Sequence, residues 1–248
     1  MNKMTKKIRA DLLLLRQFPE KTLTEARKLI LAGLVRAGEN YLIKKSSELI
    51  SSDTILMIDE SNQYVSRGAL KLKVALDKYL PDLTGKTAAD IGASTGGFTN
   101  LMLQYGASKV HAIDVGYGQL HYKLRQDKRV VLMERFNARE IKETSLPEKV
   151  DLVTMDISFI SVLKVLKGVN TILKKNGWVF ILVKPQFEAE RHEVEQGGVV
   201  RDIQIREKCV NRVKDFVEKE LSWTIIDTIP SPILGPKGNQ EFVLVCKK

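Results

Sequence analysis

The stretch that decides the fold is Ala89-Asp90-Ile91-Gly92-Ala93-Ser94-Thr95-Gly96-Gly97-Phe98-Thr99. The run 87–92 predicts a buried strand, and the small residues after it predict a tight turn into a helix. Such a turn lets the backbone approach a ligand closely at the first crossover, where the N-terminus of the next helix also points. The pattern lacks the spacing G-x-G-x-x-G, so it does not predict a dinucleotide site.

Outward from this loop, apolar runs alternate with helical patterns to the end of the chain. We expect strands at 87–92, 109–115, 130–134, 151–157, 178–184, 223–229 and 241–247. The middle runs are continuously apolar, which is typical of a parallel sheet covered by helices on both faces. A helix over 66–79, closed by Pro81 and Gly85, is predicted before the first of these strands. The predicted fold class is therefore α/β, a doubly wound, Rossmann-like domain.

A smaller, helical pattern precedes this domain. The apolar positions that predict its two helices are Leu12, Leu13 and Leu15 in the first and Ala26, Leu29 and Ile30 in the second. Thr24 is the expected N-cap of the second helix and Gly33 its expected end. We predict a small domain over 1–60, a polar linker over 61–65 and the α/β domain over 66–248.

Charge and composition limit the class of protein. The 248 residues include 40 basic and 30 acidic side chains, a net charge of +10, and residues 1–50 hold 11 basic and 5 acidic ones. This excess favours a polyanionic partner, either nucleic acid or an acidic membrane surface. The longest later apolar run, 178–183, is far shorter than the roughly 20 residues that a membrane span needs, and the basic start lacks the features of a signal peptide. We expect a cytoplasmic protein without stable membrane insertion.

Two acidic residues suggest which ligand the glycine turn holds. Asp90 lies at the end of the first predicted strand of the α/β domain, where it can pair with a cationic group. Asp114 ends the next strand, 22 residues after Gly92, the distance at which a carboxylate reaches ribose hydroxyls. A ligand with an amino-acid cation and a ribose, but no pyrophosphate, is S-adenosylmethionine. The alternative is a structural turn followed by a carboxylate that is satisfied within the protein.

Four charged residues are predicted to meet at the same edge of the sheet. Asp156 and Lys184 end the fourth and fifth strands, and Glu241 begins the last one, which we expect to run antiparallel. Lys71, on the preceding helix, could cover that edge. A lysine base supported by carboxylates can deprotonate a ribose 2′-hydroxyl for methyl transfer. The alternative is a pair of structural salt bridges.

Longer strings of the sequence resemble one known family. They are Ser66-Arg67-Gly68-Ala69-x-Lys71-Leu72, Asp90–Phe98, Asp114-Val-Gly-Tyr-Gly-Gln-Leu120, Met155-Asp156-Ile-Ser-Phe-Ile160, Val183-Lys184-Pro-Gln-Phe-Glu188, Gly197-Gly-Val-Val-Arg201 and Pro230-Ser-Pro-Ile-Leu-Gly-Pro236. They resemble the TlyA-type rRNA 2′-O-methyltransferases, a family whose members have also been called haemolysins. The resemblance covers almost the whole chain. It implies an S-four-type RNA-binding domain followed by an FtsJ-like methyltransferase domain.

The resemblance also implies an activity and a set of residues. The activity is 2′-O-methylation of cytidine ribose in ribosomal RNA or ribosomal subunits, with S-adenosylmethionine as cofactor. No metal is predicted, because two cysteines cannot form a metal cluster and none of the three histidines has metal-ligand spacing. The implied catalytic residues are Lys71, Asp156, Lys184 and Glu241, with Lys184 as the base. The implied cofactor contacts are Asp90, Gly92, Ser94, Gly96, Asp114 and Asn137. The implied RNA contacts are Arg27, Lys28, Arg36 and Arg67. Lys73 competes with Lys71 for the helical position, and the register of the motif favours Lys71.

Two other interpretations compete with this one. A base methyltransferase is disfavoured because Asp156-Ile-Ser-Phe stands where amino-group methylation needs an Asn/Asp-Pro-Pro-Tyr-like clamp, and because Cys209 and Cys246 lie away from the predicted strand ends. A haemolysin or membrane-active protein is the alternative function, although no strongly amphipathic segment is visible. The sequence makes no prediction about the oligomeric state.

Overall fold

The computed structural model describes residues 7–31, 34–38, 41–58 and 64–248. The chain forms two compact units, Met1–Gln63 and Tyr64–Lys248. Gly33, the expected end of the second helix, and residues 61–63 of the expected linker lie outside the described residues.

The first unit combines two short helices with small antiparallel strand pairs. The elements are β1 (Lys7–Arg9), α1 (Ala10–Gln17), α2 (Leu23–Leu31), β2 (Val35–Ala37), β3 (Tyr41–Leu42), β4 (Leu49–Ser51) and β5 (Leu56–Ile58). Strand β1 pairs with β4, and β2 lies between β3 and β5. The buried core consists of Ala10, Leu13, Leu14, Ala26, Ile30, Val35, Ile43 and Leu56.

Two local features of these helices differ from the sequence expectation. Leu12 is 44% exposed while Leu13 is buried, because a surface helix buries only one stripe of its side chains. Thr22, not Thr24, caps α2. Its Oγ1 accepts a hydrogen bond from Glu25 N at 3.3 Å, and the Glu25 carboxylate accepts one from Thr22 N at 2.7 Å. This reciprocal capping box satisfies two backbone donors that a cap at Thr24 would leave unpaired.

The second unit is a seven-stranded sheet between two layers of helices. Its strands are β6 (Thr87–Ile91), β7 (Lys109–Ile113), β8 (Val130–Met133), β9 (Val150–Met155), β10 (Leu173–Val183), β11 (Thr224–Pro230) and β12 (Phe242–Lys247). Its helices are α3 (Ala69–Tyr79), α4 (Gly97–Gln104), α5 (Tyr122–Arg125), α6 (Leu163–Ile172), α7 (Pro185–Glu188) and α8 (Ile203–Leu221). The strand order is β11-β12-β10-β9-β6-β7-β8. The predicted α/β fold is confirmed.

Strand direction sets where the functional residues meet. Strands β6 to β10 pair in parallel, whereas β12 runs antiparallel to β10, with Val183 opposite Phe242. The start of β12 therefore lies at the same edge as the carboxyl ends of β9 and β10, as the sequence predicts. Buried residues alternate along the strands: Phe180 packs with residues of α3 and α4, and Ile181 with residues of α6 and α8. Both faces of the sheet are therefore covered, which explains its continuously apolar middle strands.

Candidate active site

The turn after β6 depends on Gly92. Its φ is +84°, and a Cβ at this position would lie only 2.6 Å from the backbone oxygen of Asp156. Glycine is therefore required both by the left-handed backbone and by the close approach of the next strand end. Ser94 follows with a φ of +49°, and its N–H donates to Asp114 Oδ2 at 2.8 Å. The turn and the end of β7 are thus tied together.

Gly96 lies in the same turn but faces elsewhere. Its φ is +97°, and a Cβ there would overlap the side chains of Leu124 and Leu120. Gly96 lines neither of the two cavities at this edge of the sheet, unlike Gly92 and Ser94. The structure therefore gives it a packing role in the turn and places it away from the predicted cofactor contacts.

The smaller cavity, about 530 Å³, lies between the ends of β6, β7 and β9. Asp114 stands at its wall, where Oδ1 accepts from Gly116 N at 2.7 Å. Asn137 also lines the cavity and caps its own turn by accepting from Arg139 N at 3.1 Å. The apolar lining includes Ile113, Val115, Phe136, Ile157 and Ile160. Two polar side chains beside an apolar slot can hold a nucleoside.

Asp90 forms part of the wall of the larger cavity, about 760 Å³. The residue is fully buried, and it accepts hydrogen bonds from Thr99 Oγ1 at 2.6 Å and Thr154 Oγ1 at 3.0 Å. Burial raises the pKa of this carboxyl to about 7. The hydrogen bonds of the carboxyl are thus made within the protein, and a cationic group on a ligand would stabilise its ionised form.

The four predicted catalytic residues line this same cavity as two ion pairs. Lys71 Nζ lies 2.6 Å from Glu241 Oε2, and Lys184 Nζ lies 2.5 Å from Asp156 Oδ1. Ser158 Oγ accepts a further hydrogen bond from Lys184 at 2.8 Å. Both lysines are less than a tenth exposed and Glu241 is fully buried. Buried charges of this kind are costly unless paired, and removing one partner leaves the other uncompensated.

Lys73 lies on another face of α3 and lines neither cavity. Its Nζ lies 2.7 Å from Asp77, one helical turn further on, in an i, i+4 pair. The structure therefore places Lys71, and not Lys73, at the predicted catalytic position.

Two residues with no role predicted from the sequence lie against the Glu241 carboxylate. The Gln186 Nε2 donates to Glu241 Oε1 at 3.1 Å. A Cβ at Gly235 would overlap that same oxygen, so glycine makes room for the carboxylate. Both residues stand inside the quoted family strings, but nothing in their local spacing shows that they approach Glu241.

An exposed aromatic ring stands between the two cavities. Phe159 lines both of them, is 87% exposed, and has a φ of +69°. Its ring lies 5.4 Å from that of Phe187, which follows Lys184 on α7. A large apolar side chain in a left-handed, exposed conformation is a strained feature that points to function.

The four predicted RNA contacts are divided between the units. Arg67 lines the larger cavity. In the first unit, Lys28 is exposed and Arg36 half-buried, while Arg27 Nε lies 3.0 Å from the fully buried Asp11. Arg27 thus has a structural ion pair and still leaves about half of its side chain exposed.

Other chemistries find little support in the described part of the chain. Within it, no group of His, Cys, Asp or Glu is arranged to hold a metal ion, and no helix combines the length and apolar character of a membrane span. Both cysteines are buried free thiols. Burial raises the pKa of Cys209 to about 11 and that of Cys246 to about 12, and neither lines the two cavities.

The sheet order and the reversed last strand form the fold of S-adenosylmethionine-dependent methyltransferases. The FtsJ-like methyltransferase family matches residues 64–248, and the chain belongs to this family. The chain is 39% identical over 242 residues to the 16S/23S rRNA (cytidine-2′-O)-methyltransferase TlyA of Mycobacterium tuberculosis (strain H37Rv), covering 97% of this chain and 90% of the relative. It is 40% identical over 225 residues to Hemolysin A of Brachyspira hyodysenteriae, covering 89% and 91%. It is also similar to the solved structure of a "putative hemolysin" from Streptococcus thermophilus, at 39% identity and a TM-score of 0.74, covering 98% of this chain and 89% of that one.

Proposed function

We propose that the protein transfers a methyl group from S-adenosylmethionine to the 2′-hydroxyl of a cytidine in ribosomal RNA. The observation that carries the proposal is the presence of two buried lysines, each paired with a carboxylate, in one cavity beside the Gly92 turn. The reaction type and substrate follow those named for the relative from Mycobacterium tuberculosis, which matches nearly the full chain.

The cofactor fits the residues around the glycine turn. Asp114 and Asn137 border a slot of nucleoside size, with Gly92 and Ser94 at the junction with the larger cavity. Asp90 provides a buried carboxyl for the amino-acid cation. When bound, S-adenosylmethionine would supply an electrophilic methyl group on its sulfonium. The absence of a side chain at Gly92 would let the backbone approach it.

Lys184 is the proposed base. As a free amine it would take the proton of the 2′-hydroxyl, so that the oxygen could accept the methyl group that S-adenosylmethionine would supply. Asp156, 2.5 Å from Nζ, would stabilise the ammonium that results. Lys71, held by Glu241 at 2.6 Å, would place a second positive charge in the cavity and stabilise negative charge that develops on the hydroxyl oxygen.

Charge on the methyltransferase unit supports an RNA substrate. Residues 115–142 hold seven basic and three acidic side chains, a net charge as large as that of the whole stretch 51–248. Exposed rings stand among these cations: Tyr117 is 69% and Tyr122 61% exposed. The Arg135 guanidinium lies 4.3 Å from the centre of the Tyr117 ring. Cations interleaved with exposed rings bind single-stranded nucleic acid by charge and stacking.

The first unit would act as an S-four-type RNA-binding domain in the cytoplasm. Its polyanionic partner there would be ribosomal RNA. Lys28 and Arg36 are the proposed phosphate contacts, together with the exposed part of Arg27. Arg67 would contribute from the edge of the larger cavity. A partner of this kind accounts for the concentration of positive charge in residues 1–50.

The experiment is labelled methyl transfer from S-adenosylmethionine onto ribosomal subunits that lack the modification. Lys184→Ala is expected to lower the transfer rate by at least about a hundredfold, the range that loss of general base catalysis costs, and to leave the cofactor Kd near that of the wild type. Lys175→Ala, an exposed lysine toward the amino end of β10, is the matched control and should transfer at the wild-type rate. Wild-type turnover by Lys184→Ala would overturn the assignment of the base.

A further inference from the structure

Two loops form one side of the larger cavity, and the second of them leads to Glu241, just before β12. Gly198 lies in the first loop and Gly235 and Lys237 in the second, and all three line the cavity. Asn239 joins the loops: its Oδ1 accepts from Val200 N at 3.0 Å, and its Nδ2 donates to Gly198 O at 2.9 Å. Asn239 is only 2% exposed, so the contact between the two loops is buried.

Lys237 is held at the opening of the cavity in an unfavourable backbone conformation. Its φ is +63°, a region that favours glycine and costs a lysine free energy. A Cβ built on Gly198 would lie 3.6 Å from Lys237 Nζ, so the ammonium stands over the neighbouring loop. A strained residue that places its charge at a cavity mouth is a candidate for a ligand contact.

The charges of the cavity show which ligand this lysine fits. Within the cavity the two lysines 71 and 184 are each paired with a carboxylate, so these four groups carry no net charge. Lys237 is an exposed cation of the lining, and no ion pair links it to a carboxylate among the residues that the structure describes. The positive charge at the mouth is therefore available for an anion that enters from solvent.

We propose that Lys237 binds a phosphate of the RNA strand next to the nucleotide whose ribose occupies the cavity. This inference rests on the proposed function, since an internal nucleotide of RNA enters a cavity with a phosphate on each side. Asn239 is a positioning residue, because it holds the loop of Lys237 against the loop of Gly198. The carboxylate of the cofactor is the other anion that could reach this ammonium, and the experiment separates the two.

The test is the salt dependence of binding to a ribosomal RNA fragment. Loss of one phosphate contact makes the negative slope of log K against log salt shallower by about 0.7 to 0.9, which is about a five- to eightfold loss of affinity at about 0.1 M salt if the affinities are equal at about 1 M. We expect this change for Lys237→Gly. Glycine adopts the positive φ of this position readily, so the substitution should not disturb the fold. Lys237→Arg keeps the positive charge and should show the wild-type slope. Lys175→Ala, the same loss of charge at the opposite edge of the sheet, should leave it unchanged.

Each outcome bears on the proposal. An unchanged slope in Lys237→Gly, or an equal fall in Lys175→Ala, overturns it. A clear rise in the Kd of S-adenosylmethionine, with the RNA slope unchanged, assigns the lysine to the cofactor carboxylate instead. Failure of the wild-type protein to methylate ribosomal RNA would count against the proposed function and not against this contact, which is measured in binding.

Discussion

Replacing Asp90 by asparagine is expected to remove a large pH-dependent loss of stability. An unfolded chain releases the proton of this carboxyl near its ordinary pKa of 3.8, whereas the folded protein holds it until about pH 7 because the group is fully buried. Between these values the folded state binds more protons than the unfolded state. The free energy of unfolding therefore falls as pH rises toward 7 and levels off above it.

The magnitude follows from the pKa. A rise from 3.8 to about 7 corresponds to about 4 kcal/mol over the full range, of which about 3 kcal/mol falls between about pH 4.5 and pH 8. The substitution Asp90→Asn would keep the shape of the side chain. Of the Thr99 and Thr154 hydroxyls, one can still donate to the amide oxygen while the other turns to accept from the amide nitrogen. The variant should therefore gain about 3 kcal/mol relative to the wild type over this interval.

Urea denaturation of both proteins, followed in small steps across this pH interval, measures the difference directly. Every other titrating group is common to the two proteins and cancels. A difference between the two proteins that stays constant within about 0.5 kcal/mol across this interval would mean that burial does not hold the proton on Asp90.

Three further changes have defined outcomes. Both ring nitrogens of His111 are buried and have no hydrogen-bond partner among the residues that the structure describes. Burial lowers the pKa of His111 from 6.5, so wild-type stability should fall as pH drops below that value. His111→Leu should lack this fall in urea denaturation, and an identical pH profile would contradict it. Glu241→Gln leaves the ammonium of Lys71 buried without its carboxylate. The variant should lose about 3–5 kcal/mol of unfolding free energy in the same assay. A loss below about 1 kcal/mol would show that the pair is not buried in solution. Asp114→Ala should raise the Kd of S-adenosylmethionine about tenfold in calorimetry, whereas an unchanged Kd would place the ribose elsewhere.

The sequence predicts the features that depend on strand order and direction. Asp156 and Lys184 follow buried strands, so a parallel sheet brings them to one edge. Glu241 joins them only because β12 runs antiparallel, a direction that the sequence predicts from the return at the end of the chain. The position of Lys71 depends on helix register, and the alternative Lys73 turns toward Asp77 instead.

Features that depend on close contacts between distant parts of the chain cannot be predicted from local sequence patterns. Gly96 resembles a ligand-binding glycine, yet its missing side chain makes room for Leu120 and Leu124. Gln186 and Gly235 both approach Glu241, but no local pattern in the sequence indicates this contact. The N-cap at residue 22 could have been found, since a glutamate stands three residues later in the spacing of a capping box.

One measurement separates methylation of the ribose from methylation of the base. Ribosomal RNA that has reacted with the wild-type protein and labelled S-adenosylmethionine can be digested to nucleosides and separated by chromatography with mass detection. We expect the label to elute as 2′-O-methylcytidine and Lys184→Ala to yield none. Label on a methylated base, or no label in RNA at all, would contradict it.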